Sequence, residues 1–307
     1  MDKYGYIIIP SILLGFLSRL SMLKVDYRQY PSYPQGVFSH VTLGLIAASL
    51  GAVAIPSLME VMDKEFSAVT FLSLAAQQFR EVRNLERQSL EKIDETELVP
   101  RGTAYIEDIS KAFEARNYMA MLTSLLVSIF ITIGGRYFKT VYAMLIGIIL
   151  GIIIIFLFNR TISRDTIEEI ADVYPAKISF DGPLLIVNGV SIINIGYKPS
   201  RDIYLKKGIA VEIIPKDKNS MVTLSNLGQR KSIEHNVSVL LGVRKDVDQP
   251  DFSPLAARDP DTGKIVMAVV SMENDVNYLV RLVEKTIVLE SAKKKPLDSY
   301  VGRKASD

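Results

Sequence analysis

Apolar residues gather in four runs before Asn159, and from there onward charged and apolar residues alternate as they do in a water-soluble domain. The pattern predicts a chain that changes solvent near that residue. The strongest run, Val141 to Phe158, holds thirteen Leu, Ile, Val or Phe among eighteen residues and no charge. At roughly −0.3 to −0.6 kcal/mol each, these side chains favour insertion by about −4 to −8 kcal/mol. Tyr118 to Gly135 precedes it, and Gly134-Gly135-Arg136 predicts a turn that makes the two a tight hairpin. Val41 to Val61 has about the ~20 residues a span needs. Gly44, Ala47, Ala48, Gly51 and Ala52 give it a small-residue face for packing inside a bundle. Gly147 and Gly151 repeat that spacing in the last span, which suits a homo-oligomer contact and an internal one equally. Tyr4 to Leu23 reads as a first span rather than a secretory signal, since no small-residue cleavage site follows and the helical pattern continues to Lys24. Arg19 lies within a turn of its end. There it either snorkels to the interface as an anchor or pairs inside the bundle, with Glu60 as candidate partner.

Phe66 to Ile93 holds no Gly or Pro and predicts a helix that starts apolar and ends charged, with Arg83/Glu86 and Arg87/Glu91 at helical spacing for ion pairs. Val99-Pro100-Arg101-Gly102 breaks the chain. A new helix begins near Thr103, places Tyr105, Ile109, Ala112 and Phe113 on one face, and leads into the third span. After the last span, Thr161 to Val173 predicts a helical stalk, and Leu184 to Ile193 predicts two strands joined by a type I′ turn at Asn188-Gly189. Ile209 to Ile214 and Met221 to Leu224 read as strands, Gln229 to Leu241 as a helix, Lys264 to Val270 as a strand, Asn274 to Lys285 as a helix and Thr286 to Leu289 as a last strand. The expected fold is a membrane protein with four transmembrane α-helices in two hairpins and a cytoplasmic helical insert (63–117) within residues 1–160. A cytoplasmic α+β domain (161–291) and a basic disordered tail (292–307) follow.

Charge sets the expected orientation. With the N-terminus inside, twelve Lys and Arg near the spans face the cytoplasm against four outside, which places both termini and the C-terminal domain in the cytoplasm of a bacterial cell. The chain has no Cys, so disulfides, cysteine nucleophiles and thiolate metal sites are excluded, and with no Trp the tyrosines must serve as interfacial anchors. The formal net charge of +2 gives no support for a nucleic-acid partner, and Lys293-Lys294-Lys295 reads as part of a solvated tail.

Chemistry is sparse. There is no GxGxxG, Walker loop, HExxH or GxSxG motif, and His40 and His235 are the only histidines, so neither a cofactor nor a His-rich zinc site is expected. Asp259-Pro260-Asp261-Thr262-Gly263 reads as a turn rather than an aspartic-protease motif. If the chain is a protease, His235 is the candidate general base and Ser225 or Ser232 the nucleophile, because an imidazole titrates near neutrality and can take a hydroxyl proton. A serine–lysine pair stays equally open.

Tyr105-Ile106-Glu107-Asp108-Ile109-Ser110 resembles the hexapeptide that names the YIEGIA family of membrane proteins from endospore-forming Firmicutes. Flanking blocks agree in order: Asp26-Tyr27-Arg28-Gln29-Tyr30-Pro31, the run from Thr70 to Arg80, and Phe113-Glu114-Ala115-Arg116-Asn117-Tyr118. Asp108 and Ser110 stand where the motif has Gly and Ala. The resemblance implies a role in sporulation, a small cytoplasmic capping partner and membrane-tethered regulated proteolysis. The function expected is thus a membrane regulatory protein, either a membrane-anchored protease or the core of a proteolytic complex, and otherwise a non-enzymatic scaffold. The signature helix, through Tyr105, Ile106, Glu107, Ile109, Phe113 and Arg116, is expected either to bind the partner or to pack on the Phe66–Ile93 helix within one subunit.

Overall fold

A computed structural model describes residues 4–29, 34–60, 66–162, 165–245 and 250–304; the side chain of Glu60, the candidate partner of Arg19, lies outside the described residues. The chain forms two compact units, one from Met1–Gln88 and Ile109–Ser163, the other from Ser89–Asp108 and Arg164–Asp307.

Long helices build the first unit: α1 (Gly5–Gln29), α2 (Pro34–Glu60), most of α3 (Phe66–Asp94), most of α4 (Thr103–Tyr137) and α5 (Thr140–Ile162). Four of them, α1, α2, α4 and α5, are long and apolar enough to cross a membrane. Small residues let them approach closely. A Cβ on Gly51 would lie 2.2 Å from the Met121 carbonyl oxygen, and one on Gly147 would lie 2.4 Å from Ile131 Cγ1. Gly151 meets Leu14 and Val127 in the same way, so the Gly147/Gly151 pair is covered within the chain. Ser124 and Ser128 donate to the carbonyls of Ala48 and Ala52 at 2.6 and 3.2 Å, joining α4 to the small-residue face of α2.

Three expectations for this unit change. The helix does not turn at Gly134-Gly135-Arg136 but runs through them to Tyr137, because Gly134 is where α4 closes on Ala143 of α5, and the reversal falls at Phe138-Lys139. Arg83 and Glu86 do not pair along α3. They reach other helices, Arg83 meeting Glu114 at 3.1 Å and Glu86 meeting His40 at 2.5 Å. Arg19 is fully buried rather than a snorkelling anchor.

The second unit is a layered α+β structure. In chain order it holds α6 (Ile167–Ile170), β1 (Ala171–Ala176), β2 (Ile178–Asp181), β3 (Leu184–Val187), β4 (Val190–Asn194), α7 (Lys198–Lys207) and β5 (Ile209–Pro215). These are followed by α8 (Lys218–Leu224), α9 (Leu227–Leu241), β6 (Leu255–Arg258), β7 (Ile265–Val269), α10 (Val276–Lys285) and α11 (Tyr300–Lys304). An antiparallel sheet of order β1-β5-β7-β6 forms the middle layer, and β2-β3-β4 form a second antiparallel sheet. Alternate residues of the central strands serve opposite faces. Val211, Ile213, Ile265, Met267 and Val269 pack with Ile233, Val237, Leu279 and Val283 of α9 and α10. Ala210, Val266 and Ala268 pack with Leu185 and Val187 of the small sheet and with Tyr204 of α7. Buried on both faces, β7 is therefore apolar throughout.

The hairpin forms as expected, with Asn188 and Gly189 at φ 43° and 82° in the left-handed region that a type I′ turn needs. Met221 to Leu224 is helical instead of extended. The Asp217 carboxylate caps α8 by accepting from Ser220 N–H at 2.6 Å, and that local bond outweighs the β-rich text. Of the helical stalk expected over Thr161 to Val173, Thr161 and Ile162 belong to α5 and Ile167–Ile170 form α6, whereas Ala171 onward is strand β1. Thr286 to Leu289 joins no sheet beyond a single bridge from Ile287 to Thr166. The Gln229 side-chain amide takes the place of a neighbouring strand, donating to Ile287 C=O at 3.0 Å and accepting from Leu289 N–H at 2.7 Å.

Candidate functional site

His235 sits on α9 with 1% of its surface exposed. Its Nδ1 lies 3.1 Å from the Val99 carbonyl in the segment between α3 and α4, and Glu97 Oε2 stands 3.8 Å away. That segment is itself pinned. The Asp94 carboxylate accepts from the N–H groups of Arg101 and Gly102 at 2.6 and 3.0 Å, and Gly102 takes φ +81°, which glycine reaches without strain. Arg101 closes the loop with an ion pair to Glu97 at 2.7 Å. Burial, aided by the Arg101 guanidinium, holds the His235 imidazole below its ordinary pKa, so it is neutral at pH 7. Its Nε2 has no hydrogen-bond partner among the described residues, and the Tyr105 ring lies edge-on at 6.2 Å.

The candidate nucleophiles are engaged elsewhere. Ser232 Oγ donates to Gln229 C=O at 2.8 Å and accepts from the Gln229 amide, and Ser225 Oγ donates to Val222 C=O at 2.7 Å. Each is a back-bond to the carbonyl three residues earlier, a local habit of serine in helices. Neither hydroxyl is hydrogen-bonded to His235. Among the described residues no group of three or more His, Asp or Glu side chains is placed to hold a metal ion.

The hexapeptide at the start of α4 faces inward. Tyr105, Ile106, Ile109 and Phe113 are buried, as is Arg116, while Glu107 is half-buried. Asp108, 2% exposed, accepts from Ser291 N–H at 3.0 Å. Phe113 stacks on the His40 ring with centroids 4.0 Å apart.

The first unit holds a charge cluster that sequence reasoning missed. Asp26, fully buried, accepts from Arg19 Nη1 at 3.0 Å through one carboxylate oxygen and from Arg116 Nε at 3.1 Å through the other. Gly44 of α2 makes room for the Arg19 stem, since a Cβ there would lie 2.3 Å from Arg19 Cγ. The signal was available: Arg19 and Asp26 are seven residues apart, two turns along one helix face.

The sequence profile of the family described as YIEGIA protein matches residues 7–299 of this chain. The chain belongs to the YIEGIA family. Among its relatives is the "uncharacterized protein YphB" of Bacillus subtilis (strain 168), 40% identical over 298 residues that cover 97% of each chain. No solved structure matches. Within this YIEGIA chain the two departures from the motif have definite surroundings. The Asp108 carboxylate takes a main-chain N–H that glycine could not bind, and Ser110 is fully buried.

Proposed function

We propose that this YIEGIA-family chain is an integral membrane regulatory protein of sporulation, multi-pass in the bacterial cell membrane, with both termini and the C-terminal unit in the cytoplasm. It forms the membrane core of a regulated proteolytic complex held in check by a small cytoplasmic capping partner. Four long apolar helices support the membrane setting, and twelve Lys and Arg against four support the orientation. Sporulation, proteolysis and the capping partner are carried over from the family resemblance. A core role is preferred to that of a serine–histidine protease because both candidate hydroxyls are bound to helix carbonyls, with His235 lodged against Val99. The same observation favours the second reading, a non-enzymatic scaffold whose cytoplasmic domain binds a partner.

The test is purified protein in liposomes, with and without solubilised membranes from sporulating cells, assayed against candidate spore-development proteins. Cleavage is expected only when the membrane extract is present, and unchanged by Ser225→Ala or Ser232→Ala. Cleavage by the pure protein that Ser232→Ala or Ser225→Ala abolishes overturns the core reading in favour of a catalytic one. Extract-dependent cleavage that persists when this chain is omitted leaves the scaffold. A reporter fused after Asn159 reads the orientation independently, and an extracytoplasmic signal from it overturns that part.

A further inference from the structure

The chain beyond Leu289 leaves the core in two stages. At first it is firmly held: Ser291 N–H is bound by the buried Asp108 carboxylate, and Ala292 is fully buried. From Lys293 the contacts change in kind. Lys293 Nζ meets Asp165 at 2.9 Å with the two side chains 29% and 47% exposed, Lys294 N–H reaches Thr223 Oγ1 at 3.5 Å, and Leu297 N–H donates to Asn219 Oδ1 at 3.1 Å. Pro296–Asp298 then makes one 3-10 turn and Tyr300–Lys304 a short helix, neither with a buried residue.

Lys293, Lys294, Lys295 and Asp298 of this segment form one wall of a groove that keeps a cavity of about 340 Å³ between the segment and the body of the unit. Ile170 and Val288 supply its apolar lining, and Asp165, Glu169 and Asp217 bring carboxylates to face the lysine run. Two properties of the groove are those of a peptide site. The Asn219 and Thr223 side chains accept main-chain N–H groups, which any extended peptide presents whatever its sequence. The carboxylates then select for basic side chains. The occupant is weakly attached, because an exposed ion pair contributes little and a 3.5 Å bond is at the limit of hydrogen bonding. What keeps it in place is its tether at Ala292, which raises its local concentration into the millimolar range, as short flexible linkers do, by order of magnitude.

We propose that residues 293–304 are a displaceable strap occupying a peptide-docking groove, and that the groove's partner in trans is an extended protein segment carrying consecutive Lys or Arg residues. The strap covers the site in cis and swings away about Ala292 when such a segment competes. This goes beyond the role proposed above and does not depend on proteolysis.

A labelled peptide copying residues 292–304 tests it by fluorescence anisotropy on full-length protein in an uncharged maltoside detergent. Lys293→Glu, Lys294→Glu and Lys295→Glu together repel the strap from the groove. The peptide should bind this protein about tenfold or more tightly than it binds wild type, whose tethered strap competes. Adding Asp165→Lys and Glu169→Lys should abolish that binding. An unlabelled copy with Glu at the three lysine positions should fail to compete with the labelled peptide, which tests the charge requirement without a second protein variant. Equal affinity for wild type and strap variant, no binding to the strap variant, binding that survives reversal of the groove, or effective competition by the acidic peptide each overturns the proposal.

Discussion

Replacing Asp26 by Asn would keep the shape of the side chain and remove a carboxylate that both Arg19 and Arg116 contact, at 3.0 and 3.1 Å. All three side chains are 0–1% exposed, so water cannot take over the lost charge. Removing one member of a buried ion pair destabilises by roughly 3–5 kcal/mol, mainly because the remaining charge stays buried without compensation. At a few degrees of melting temperature per kcal/mol for a chain of this size, the loss amounts to ~10 °C or more. The chain has no Trp, so melting of detergent-solubilised protein is best followed by circular dichroism at the helix band. A second variant separates electrostatics from packing. Arg19→Met, Asp26→Leu and Arg116→Met together remove the three charges described for the cluster at similar volume, and should recover most of the loss, since apolar replacement of a buried ionic cluster is often neutral or better. An Asp26→Asn protein that melts within about 2 °C of wild type, less than 1 kcal/mol on this scale, would refute the reasoning. So would an apolar triple variant less stable than Asp26→Asn alone.

Gly51→Val places a side chain where even a Cβ would lie 2.2 Å from the Met121 carbonyl, so α2 and α4 must separate and the variant should accumulate poorly in membranes. Leu50→Val, at a half-buried neighbouring position on the same helix, is the control and should accumulate normally. For His235, the folded state holds the imidazole neutral below its ordinary pKa, whereas the unfolded chain takes up the proton near 6.5. The contribution of this residue is therefore complete above about pH 6.5 and falls as pH drops toward the folded-state value, at no more than about 1.4 kcal/mol per pH unit for one proton. Thermal unfolding between pH 7.5 and 5.5 should show that slope in wild type and lose it in His235→Gln; equal slopes would contradict the assignment.

Much of the fold was legible because the physical demands were local. A lipid-spanning helix must be long and apolar, and those four runs declare themselves. Asn188-Gly189 announces its hairpin because few other pairs accept positive φ at both turn positions. The misreadings come where a side chain substitutes for backbone. Met221 to Leu224 looked extended until the Asp217 cap is taken into account, and Thr286 to Leu289 looked like a strand because Gln229 satisfies it as a strand would. β1 was hidden by Pro175 and by Asp172 on an edge strand of the sheet. The candidate site was less legible still. Ser232 and His235 share a helix face by spacing, but spacing cannot tell that the hydroxyl turns back to Gln229, nor that His235 reaches Val99 across 136 residues. Asp26, by contrast, was open to discovery from its two-turn spacing to Arg19.

The signature hexapeptide reads differently once its burial is known. A surface that recognises a partner needs exposed groups, yet Tyr105, Ile106, Asp108, Ile109 and Ser110 are each at most 3% exposed, leaving Glu107 as the member that reaches solvent. The constraint on these residues is therefore one of fit. Tyr105 lies against His235, Asp108 binds the N–H at the root of the strap, and Phe113 beyond the hexapeptide stacks on His40. Truncating a buried Phe to Ala costs about 3–5 kcal/mol, a large part of the 5–15 kcal/mol that holds a typical domain together. Loss of a partner from a Tyr105→Ala, Phe113→Ala protein would consequently report loss of the fold before it reported loss of an interface. A partner that acts on this chain has more to grip at the strap and its groove, where polar groups meet water and the native contacts are weak enough to exchange.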